Sequence, residues 1–207
     1  MPKPIQRSKK LLKKLPSQGA EIQGEHPQAS VELWAFDEHR IGLKPLLRRI
    51  WVKKGMRPGV IVQTRYQWMY VYGFVHPQSG RTVWLLLPWV NIAVMNLALQ
   101  EFARSVGAGP SKHIVLVLDR AGWHSSPQLV IPEGLHLIFL PPYSPELQPS
   151  ERLWPLSNEG IANRHFHTLE ELEEAQLQRC QTLLSHPEHI QAATSFHWWP
   201  SDPLNGQ

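Results

Sequence analysis

Two aspartates in this chain directly follow short apolar runs, where polar side chains often do chemistry. Asp37 follows VELWAF and Asp119 follows IVLVL. Continuous apolar runs of this length predict buried strands, so both carboxylates are expected at the ends of strands. Polar side chains at the carboxyl edge of an open sheet are often functional. The alternative is that both aspartates merely terminate strands.

Glu151 follows an unusually stiff stretch, LPPYSPELQPSERLW, at residues 140–154. Each proline fixes its own φ and pushes the residue before it into an extended conformation, so the approach to Glu151 has few conformations. The stretch is therefore predicted to aim Glu151 at a fixed point. Two alternatives stay open: a rigid connection after a strand, and a glutamate placed to complement a helix dipole.

Convergence of the three carboxylates would create a need for positive charge. Carboxylates held together repel one another and must share a counter-charge or take up protons. Mg²⁺, with Mn²⁺ as a substitute, is a hard cation that binds such oxygens and leaves positions for water and phosphate. Two such ions, about 3.5–4 Å apart, promote in-line phosphoryl displacement. Asp37, Asp119 and Glu151 are thus the predicted catalytic and metal-binding residues.

Positive charge is concentrated in one segment of the chain. The 207 residues carry 21 Lys and Arg against 17 Asp and Glu, a net charge of +4. Between Arg40 and Arg65 there is no acidic residue. A basic segment of this kind suits a phosphate backbone. The predicted DNA-binding residues are Arg40, Lys44, Arg48, Arg49, Lys53, Lys54, Arg57 and also Arg152, and Trp51 with the alternation around it indicates strands in this segment.

The remaining patterns predict a mixed α/β arrangement. WMYVYGFV and RTVWLLL flank the turn sequence HPQSG as a hairpin. Apolar residues recur every three or four positions over residues 91–106, with Asn91 as the cap of an amphipathic helix. Thr168 and Glu171 form a capping box that opens a helix running to about Leu184. The predicted order is strand, hairpin, helix, strand, strand, helix.

No apolar run has the roughly 20 residues of a membrane span, and the basic N-terminus lacks a signal-peptide core. The single cysteine, Cys180, has no partner for an internal disulfide. We expect a soluble, cytoplasmic protein that is associated with the nucleoid when bound to DNA.

Three blocks of the sequence resemble those of a known family. They are LWAFDEHRIG around Asp37, VLVLDRAGWHSS around Asp119 and LIFLPPYSPELQPSERLW around Glu151. Together they resemble the catalytic blocks of DDE transposases, in the bacterial insertion-sequence branch of the Tc/mariner superfamily, the insertion sequence 630 type. The resemblance covers roughly residues 31–184.

The resemblance implies a ribonuclease-H-like fold, a mixed five-stranded sheet flanked by helices. Its first and fourth strands would bring Asp37 and Asp119 side by side, with Glu151 on the following helix. It further implies hydrolysis of phosphodiester bonds at transposon ends and joining of the freed 3′-hydroxyl to target DNA. His124 would support the metal site, whereas Glu38, next to Asp37 on a strand, is expected to point elsewhere. Trp123 is interpreted as a packing residue.

The chain departs from the family pattern at its N-terminus. Such transposases usually carry helix-turn-helix modules before the catalytic domain, and no segment of that length precedes Val31. We therefore expect the second part of a split transposase, a truncated copy or an independently expressed catalytic fragment. The partners expected are double-stranded DNA, a second copy of the chain on that DNA, and a separately encoded or frameshift-fused helix-turn-helix portion.

Two alternatives compete with an active transposase domain: a non-catalytic DNA-binding fragment or regulator, and another ribonuclease-H-like nuclease. The expected organisation is a basic, flexible tail over residues 1–30, the catalytic domain over residues 31–184 and an irregular tail over residues 185–207.

Overall fold

A mixed sheet of five strands forms the centre of the part of the chain that the structure describes, in the order β3-β2-β1-β4-β5. This computed structural model describes residues 15–57, 59, 61, 64–142, 144–197 and 199–200. β1 is antiparallel to β2 and parallel to β4, β2 is antiparallel to β3, and β4 is parallel to β5. The strands are β1 (Ser30–Gly42), β2 (Trp68–His76), β3 (Arg81–Leu87), β4 (Lys112–Leu118) and β5 (Leu135–Phe139).

Helices cover both faces of the sheet. They are α1 (Leu15–Glu25), α2 (Ile92–Val106), α3 (Leu153–Ser157), α4 (Leu169–Leu184) and α5 (Pro187–Thr194). Successive strand residues point to opposite faces, so β1 contributes Leu33 and Ala35 to one apolar cluster and Trp34 and Phe36 to the other. The predicted order of strands and helices is confirmed.

Local sequence signals set the ends of the two longest helices. The Asn91 side chain accepts a hydrogen bond from the backbone N–H of Val94 at the start of α2. The Thr168 hydroxyl accepts one from the N–H of Glu171 at the start of α4. In each case a polar side chain satisfies an amide that the first helical turn leaves without a partner. Both predicted helices are confirmed, including the end of α4 at Leu184.

The predicted tails contain regular structure. Residues 15–25 form α1 rather than a flexible tail, and Leu15 packs into the apolar cluster beneath the sheet. Residues 187–194 form α5 rather than an irregular tail, and Ile190 is fully buried in the same cluster. These buried contacts stabilise two helices that are too short to be stable by themselves. The predicted tail residues 1–14 and 201–207 lie outside the described residues.

β1 is longer than predicted, and the segment after it lacks the predicted strands. β1 pairs with β2 as far as Gly42, so Asp37 lies inside the strand rather than beyond its end. The described residues between Gly42 and Trp68 form no strand. None of the described helices has both the length and the hydropathy needed to cross a membrane.

Candidate active site

Asp37, Asp119 and Glu151 line one cleft of about 410 Å³. The proline-rich loop forms the opposite wall of this cleft, which we call the acidic cleft. Arg120, next to Asp119, also lines it. The structure thus brings together the three carboxylates that the sequence predicted to converge.

Parallel pairing of β1 with β4 places the two aspartates side by side. Ala35 pairs with Val117 at the last position where these strands are aligned, and Asp37 and Asp119 each come two residues later. Side chains two residues apart on a strand point to the same face. Asp37 lies within β1 and Asp119 just after the end of β4, and both line the acidic cleft.

The proline-rich loop is tied to β1 by a buried side chain. The Gln148 side-chain amide donates a hydrogen bond of 2.8 Å to the carbonyl of Phe36, the residue before Asp37. Pro145 and Pro149 each occupy the first position of a short 3₁₀ turn, the position where a missing N–H costs nothing. Glu151 lies in the second of these turns, just before α3, rather than within an α-helix.

Asp37 is held by Trp154, which lies in α3. Trp154 Nε1 donates a hydrogen bond of 3.2 Å to Asp37 Oδ2. Its ring stacks on His39, with ring centres 5.0 Å apart. Gly73, which pairs with Asp37 across β1 and β2, leaves room for the tryptophan, because an added Cβ would lie 2.9 Å from its ring. Trp154 thus links the two carboxylate-bearing segments.

The pKa values of Asp37 and Glu151 are raised, whereas that of Asp119 is lowered. Burial raises the pKa of Asp37 well above its usual value, and the charges of Glu151 and Glu38 raise it further. The pKa of Glu151 is also raised, by burial and by the charge of Asp119. The hydrogen bond from His124 lowers the pKa of Asp119. The surroundings therefore favour the charged form of Asp119 and the protonated forms of Asp37 and Glu151.

The carboxylate oxygens of Asp37, Asp119 and Glu151 are ligands of the kind that a hard divalent cation binds. The raised pKa values of Asp37 and Glu151 show that positive charge is lacking beside them, and a cation would supply it. In the described part of the chain, no group of three or more His, Cys, Asp and Glu side chains already has the geometry of a metal site. Mg²⁺ does not require such a cage, since it is usually bound by one or two carboxylates together with water and phosphate.

His124 is a buried bridge between two acidic residues. Its Nδ1 lies 2.6 Å from Asp119 Oδ1 and its Nε2 lies 2.7 Å from Glu38 Oε1. Burial acts to lower the pKa of His124, but the hydrogen bonds and charges of Asp119 and Glu38 raise it to about 9. The imidazole is therefore protonated at neutral pH, and each nitrogen donates to a carboxylate. Asp119 Oδ1 also accepts from the N–H of Ala121, at 3.0 Å.

Glu38 has a contact that the sequence did not reveal. Strand alternation points it away from Asp37, as expected, but it accepts hydrogen bonds from His124 and from Trp123 Nε1, the latter at 3.0 Å. Trp123 is partly exposed and serves as a donor rather than only as a packing residue. Alternation gave the direction of Glu38 but not its partner, because that partner is 86 residues away in the chain.

The predicted DNA-binding residues do not all stand free. All eight are exposed: Arg40, Lys44, Arg48, Arg49, Lys53, Lys54, Arg57 and Arg152. The Arg48 guanidinium donates a hydrogen bond of 2.6 Å to the carbonyl of Pro155, in α3. The Arg152 guanidinium lies 5.3 Å from the centre of the Phe196 ring. Arg48 thus fastens the basic segment beside the acidic cleft.

The chain also matches a known protein family. Residues 32–173 match the family model described as DDE superfamily endonuclease. A relative in Sinorhizobium fredii, named as the uncharacterized protein y4pE/y4sA, is 41% identical over 106 residues, which make up 51% of this chain and 77% of that protein.

The fold is similar to that of solved transposase structures. One is the Mos1 transposase paired-end complex with left transposon end, with a TM-score of 0.56 and 16% identity over 96% of this chain and 64% of that one. Another is a pre-cleavage Mos1 transpososome, with a TM-score of 0.59 and 15% identity over 94% and 63% of the two chains. The chain therefore spans less than two thirds of these proteins. The predicted ribonuclease-H-like fold is confirmed.

Proposed function

Because this chain belongs to the DDE superfamily endonucleases, we propose that it hydrolyses phosphodiester bonds at transposon ends and joins the freed 3′-hydroxyl to target DNA. The observation that carries the proposal is the meeting of Asp37, Asp119 and Glu151 in one cleft, on parallel strands and a proline-stiffened turn. The proposed substrate is double-stranded DNA, for which the exposed basic segment after β1 supplies positive charge.

The three carboxylates would hold Mg²⁺, or Mn²⁺ in its place. A bound ion of this kind lowers the pKa of a water molecule and stabilises negative charge on phosphate oxygens. Trp154 holds Asp37 Oδ2, and His124 with the N–H of Ala121 holds Asp119 Oδ1. The other oxygen of each aspartate is the one proposed to bind the cation. We assign His124 a supporting role of this kind.

The proposed chemistry is two successive displacements at phosphorus. In the first, a water oxygen bonds to phosphorus, the bond to the 3′-oxygen breaks, and that oxygen takes up a proton to leave a 3′-hydroxyl. In the second, this hydroxyl loses its proton, bonds to a phosphorus of the target strand and displaces the 3′-oxygen there. The protein's part is to position the reacting groups and to balance charge, which accounts for most of the catalysis in phosphoryl transfer.

The Mos1 complexes support the proposal by analogy. One is described as a complex with the left transposon end, and two are described as paired-end complexes with Mn and with Mg. At 14–17% identity these likenesses concern the fold, so the metal and the DNA are proposals for this chain. A homodimer on DNA and a helix-turn-helix partner portion remain predictions.

Metal binding is the first test, because it does not require a specific DNA sequence. Mg²⁺ and Mn²⁺ would be titrated into the full chain by calorimetry, with Asp119→Ala beside the wild type. We expect binding to the wild type and a loss of at least about tenfold in affinity in the variant, since a charged ligand is removed. Glu146→Ala is the matched control, because Glu146 is an exposed carboxylate on the same loop that does not line the cleft.

The result separates this proposal from a non-catalytic DNA-binding fragment. Equal metal affinity in the wild type and Asp119→Ala, together with retained DNA binding, would favour the fragment. Cleavage of RNA–DNA hybrids in preference to duplex DNA would favour another ribonuclease-H-like nuclease.

A further inference from the structure

A second cleft, of about 270 Å³, lies where β1 ends and β2 begins. Its lining contains three cationic side chains, from Arg40, Lys44 and Arg65, and two aromatic ones, from Tyr66 and Trp68. No lining residue is acidic. We call it the basic cleft. Arg40 follows Asp37 by three residues on β1, a rise of about 10 Å along the strand, and strand alternation points the two side chains to opposite faces.

The positive charges of the basic cleft are available to a ligand. The salt bridges found among the described residues involve other cations, such as Arg81, Lys112 and Arg179. Arg65 Nη1 has only a long contact, 3.5 Å, with the carbonyl of His167. Three cations around one small cleft repel one another, so an anion placed between them is favoured.

The aromatic side chains give the cleft a second kind of contact. Tyr66 is 82% exposed and Trp68 42% exposed, although both have large apolar rings. Trp68 is held in place because it is the first residue of β2 and pairs with Gly42 of β1. The two chains are close here, since a Cβ added to Gly42 would lie 2.6 Å from the carbonyl oxygen of Gln67. The Arg40 guanidinium lies 5.6 Å from the centre of the Trp68 ring. A flat ligand would cover these rings.

A nucleotide combines the two features that would fit this cleft, an anionic phosphate and a flat base. Proteins bind unpaired nucleotides by combining cations along the backbone with aromatic side chains that stack on bases. Paired bases within a duplex do not offer their faces, so stacking here requires an unpaired base. We propose that the basic cleft binds an unpaired nucleotide of the DNA substrate. This inference rests on the proposed function, because it assumes DNA in the acidic cleft.

The test compares two DNA probes without added metal, so that no cleavage occurs. One is a labelled blunt duplex and the other is the same duplex with a three-nucleotide single-stranded overhang, each titrated with the full chain by fluorescence anisotropy. We expect the overhang to strengthen binding about tenfold, as one stacked base does. Tyr66→Ala and Trp68→Ala should remove this preference and leave the affinity for the blunt duplex unchanged. Trp68→Phe should retain most of it, because phenylalanine also stacks.

Matched controls lie in the same segment. Trp51 is fully exposed but does not line the cleft, so Trp51→Ala should keep the preference for the overhang. Lys53 is exposed and also outside the lining, so Lys53→Ala should weaken both probes equally, whereas Lys44→Ala should weaken the overhang probe more.

The outcomes distinguish this inference from the proposed function. If the wild type binds both probes equally, or if Trp51→Ala loses the preference as Trp68→Ala does, the basic cleft is not a nucleotide site, while duplex binding still supports the proposed function. If the variants change the oligomeric state measured by light scattering and leave both affinities unchanged, the cleft contacts a second copy of the chain. Absence of binding to either probe overturns both proposals.

Discussion

Each aspartate in the acidic cleft has one carboxylate oxygen held by a protein donor. Trp154 holds Asp37 Oδ2, and His124 holds Asp119 Oδ1. These donors differ in charge, since the indole is neutral and the imidazole, with a pKa of about 9, is a cation at neutral pH. Burial and the charges of Glu151 and Glu38 raise the pKa of Asp37 in spite of the bond from Trp154. The bond from His124 lowers the pKa of Asp119.

At the scale of single residues, Glu38→Gln tests how His124 is held. The substitution keeps the size of the side chain but removes the charge that raises the pKa of His124, so NMR titration should show that pKa falling below about 9. Asp119 would be held less firmly, and we expect Mg²⁺ affinity to fall about 10- to 100-fold, as for other residues that orient a metal ligand.

Glu146→Gln is the control for Glu38→Gln, because it removes a charge from an exposed side chain on the loop. This control should leave the pKa of His124 and the affinity for Mg²⁺ unchanged. A Glu38→Gln protein with wild-type Mg²⁺ affinity and a lowered His124 pKa would show that Glu38 does not position Asp119.

At the scale of elements, β1, β2 and α3 meet at Gly73. The pairing of Gly73 with Asp37 leaves space above β2 for the Trp154 ring. Gly73→Ala would put a methyl group 2.9 Å from that ring and 3.0 Å from Leu153 Cδ1. Since both contacts are buried, we expect a loss of about 1–3 kcal/mol in the free energy of unfolding, measured by urea denaturation.

The Gly73→Ala variant should also bind Mg²⁺ more weakly, because Trp154 is displaced from Asp37. Gly24→Ala, in α1, serves as the control, since an added Cβ there meets nothing within 4 Å. Alanine is also favoured over glycine in a helix, so Gly24→Ala should be neutral or stabilising. Equal stabilities of wild type and Gly73→Ala would contradict the account of Trp154.

At the scale of the whole molecule, different titratable groups lie at the two ends of the central strands. The acidic cleft lies beside the carboxyl end of β4 and the adjoining part of β1. Near the amino ends of β4 and β5, His113 and His136 share a hydrogen bond of 2.8 Å, and His26, which follows α1, stacks on His113 with ring centres 3.9 Å apart. Through this stack, α1 is joined to the sheet.

The histidine stack predicts a loss of stability in acid. Burial and neighbouring histidines lower the pKa of His113 and of His136, while Glu133 and Glu25 act weakly in the opposite direction. In the unfolded chain these histidines have a pKa near 6.5, so as the pH falls below about 6.5 the unfolded state takes up protons that the folded state does not. Stability present above that pH is therefore lost on acidification toward the lowered pKa values.

Urea denaturation at pH 7.5 and 5.5 measures the effect. We expect the wild type to lose more of its free energy of unfolding between these two pH values than His113→Gln, which keeps a polar side chain but does not titrate. The exposed pair His186 and His189 lies at the start of α5, and His189→Gln is a control that should match the wild type. Identical losses in all three proteins would contradict a role for the stack.

Sequence by itself determined the elements and the three carboxylates. Apolar runs and caps depend on neighbours a few residues away, so α2, α4 and the central strands followed from local pattern. The short helices α1 and α5 did not follow, because burial of Leu15 and Ile190 in the apolar cluster is what stabilises helices of this length.

Only the tertiary structure decided how the carboxylates are held. The bonds from Gln148 to Phe36, from Trp154 to Asp37 and between His124 and Glu38 each join residues more than 80 positions apart. Such contacts have no local signature, because they depend on strand register and on the path of the proline-rich loop. The sequence therefore determined which groups are present, and the packing of the chain decided which oxygens remain for a cation.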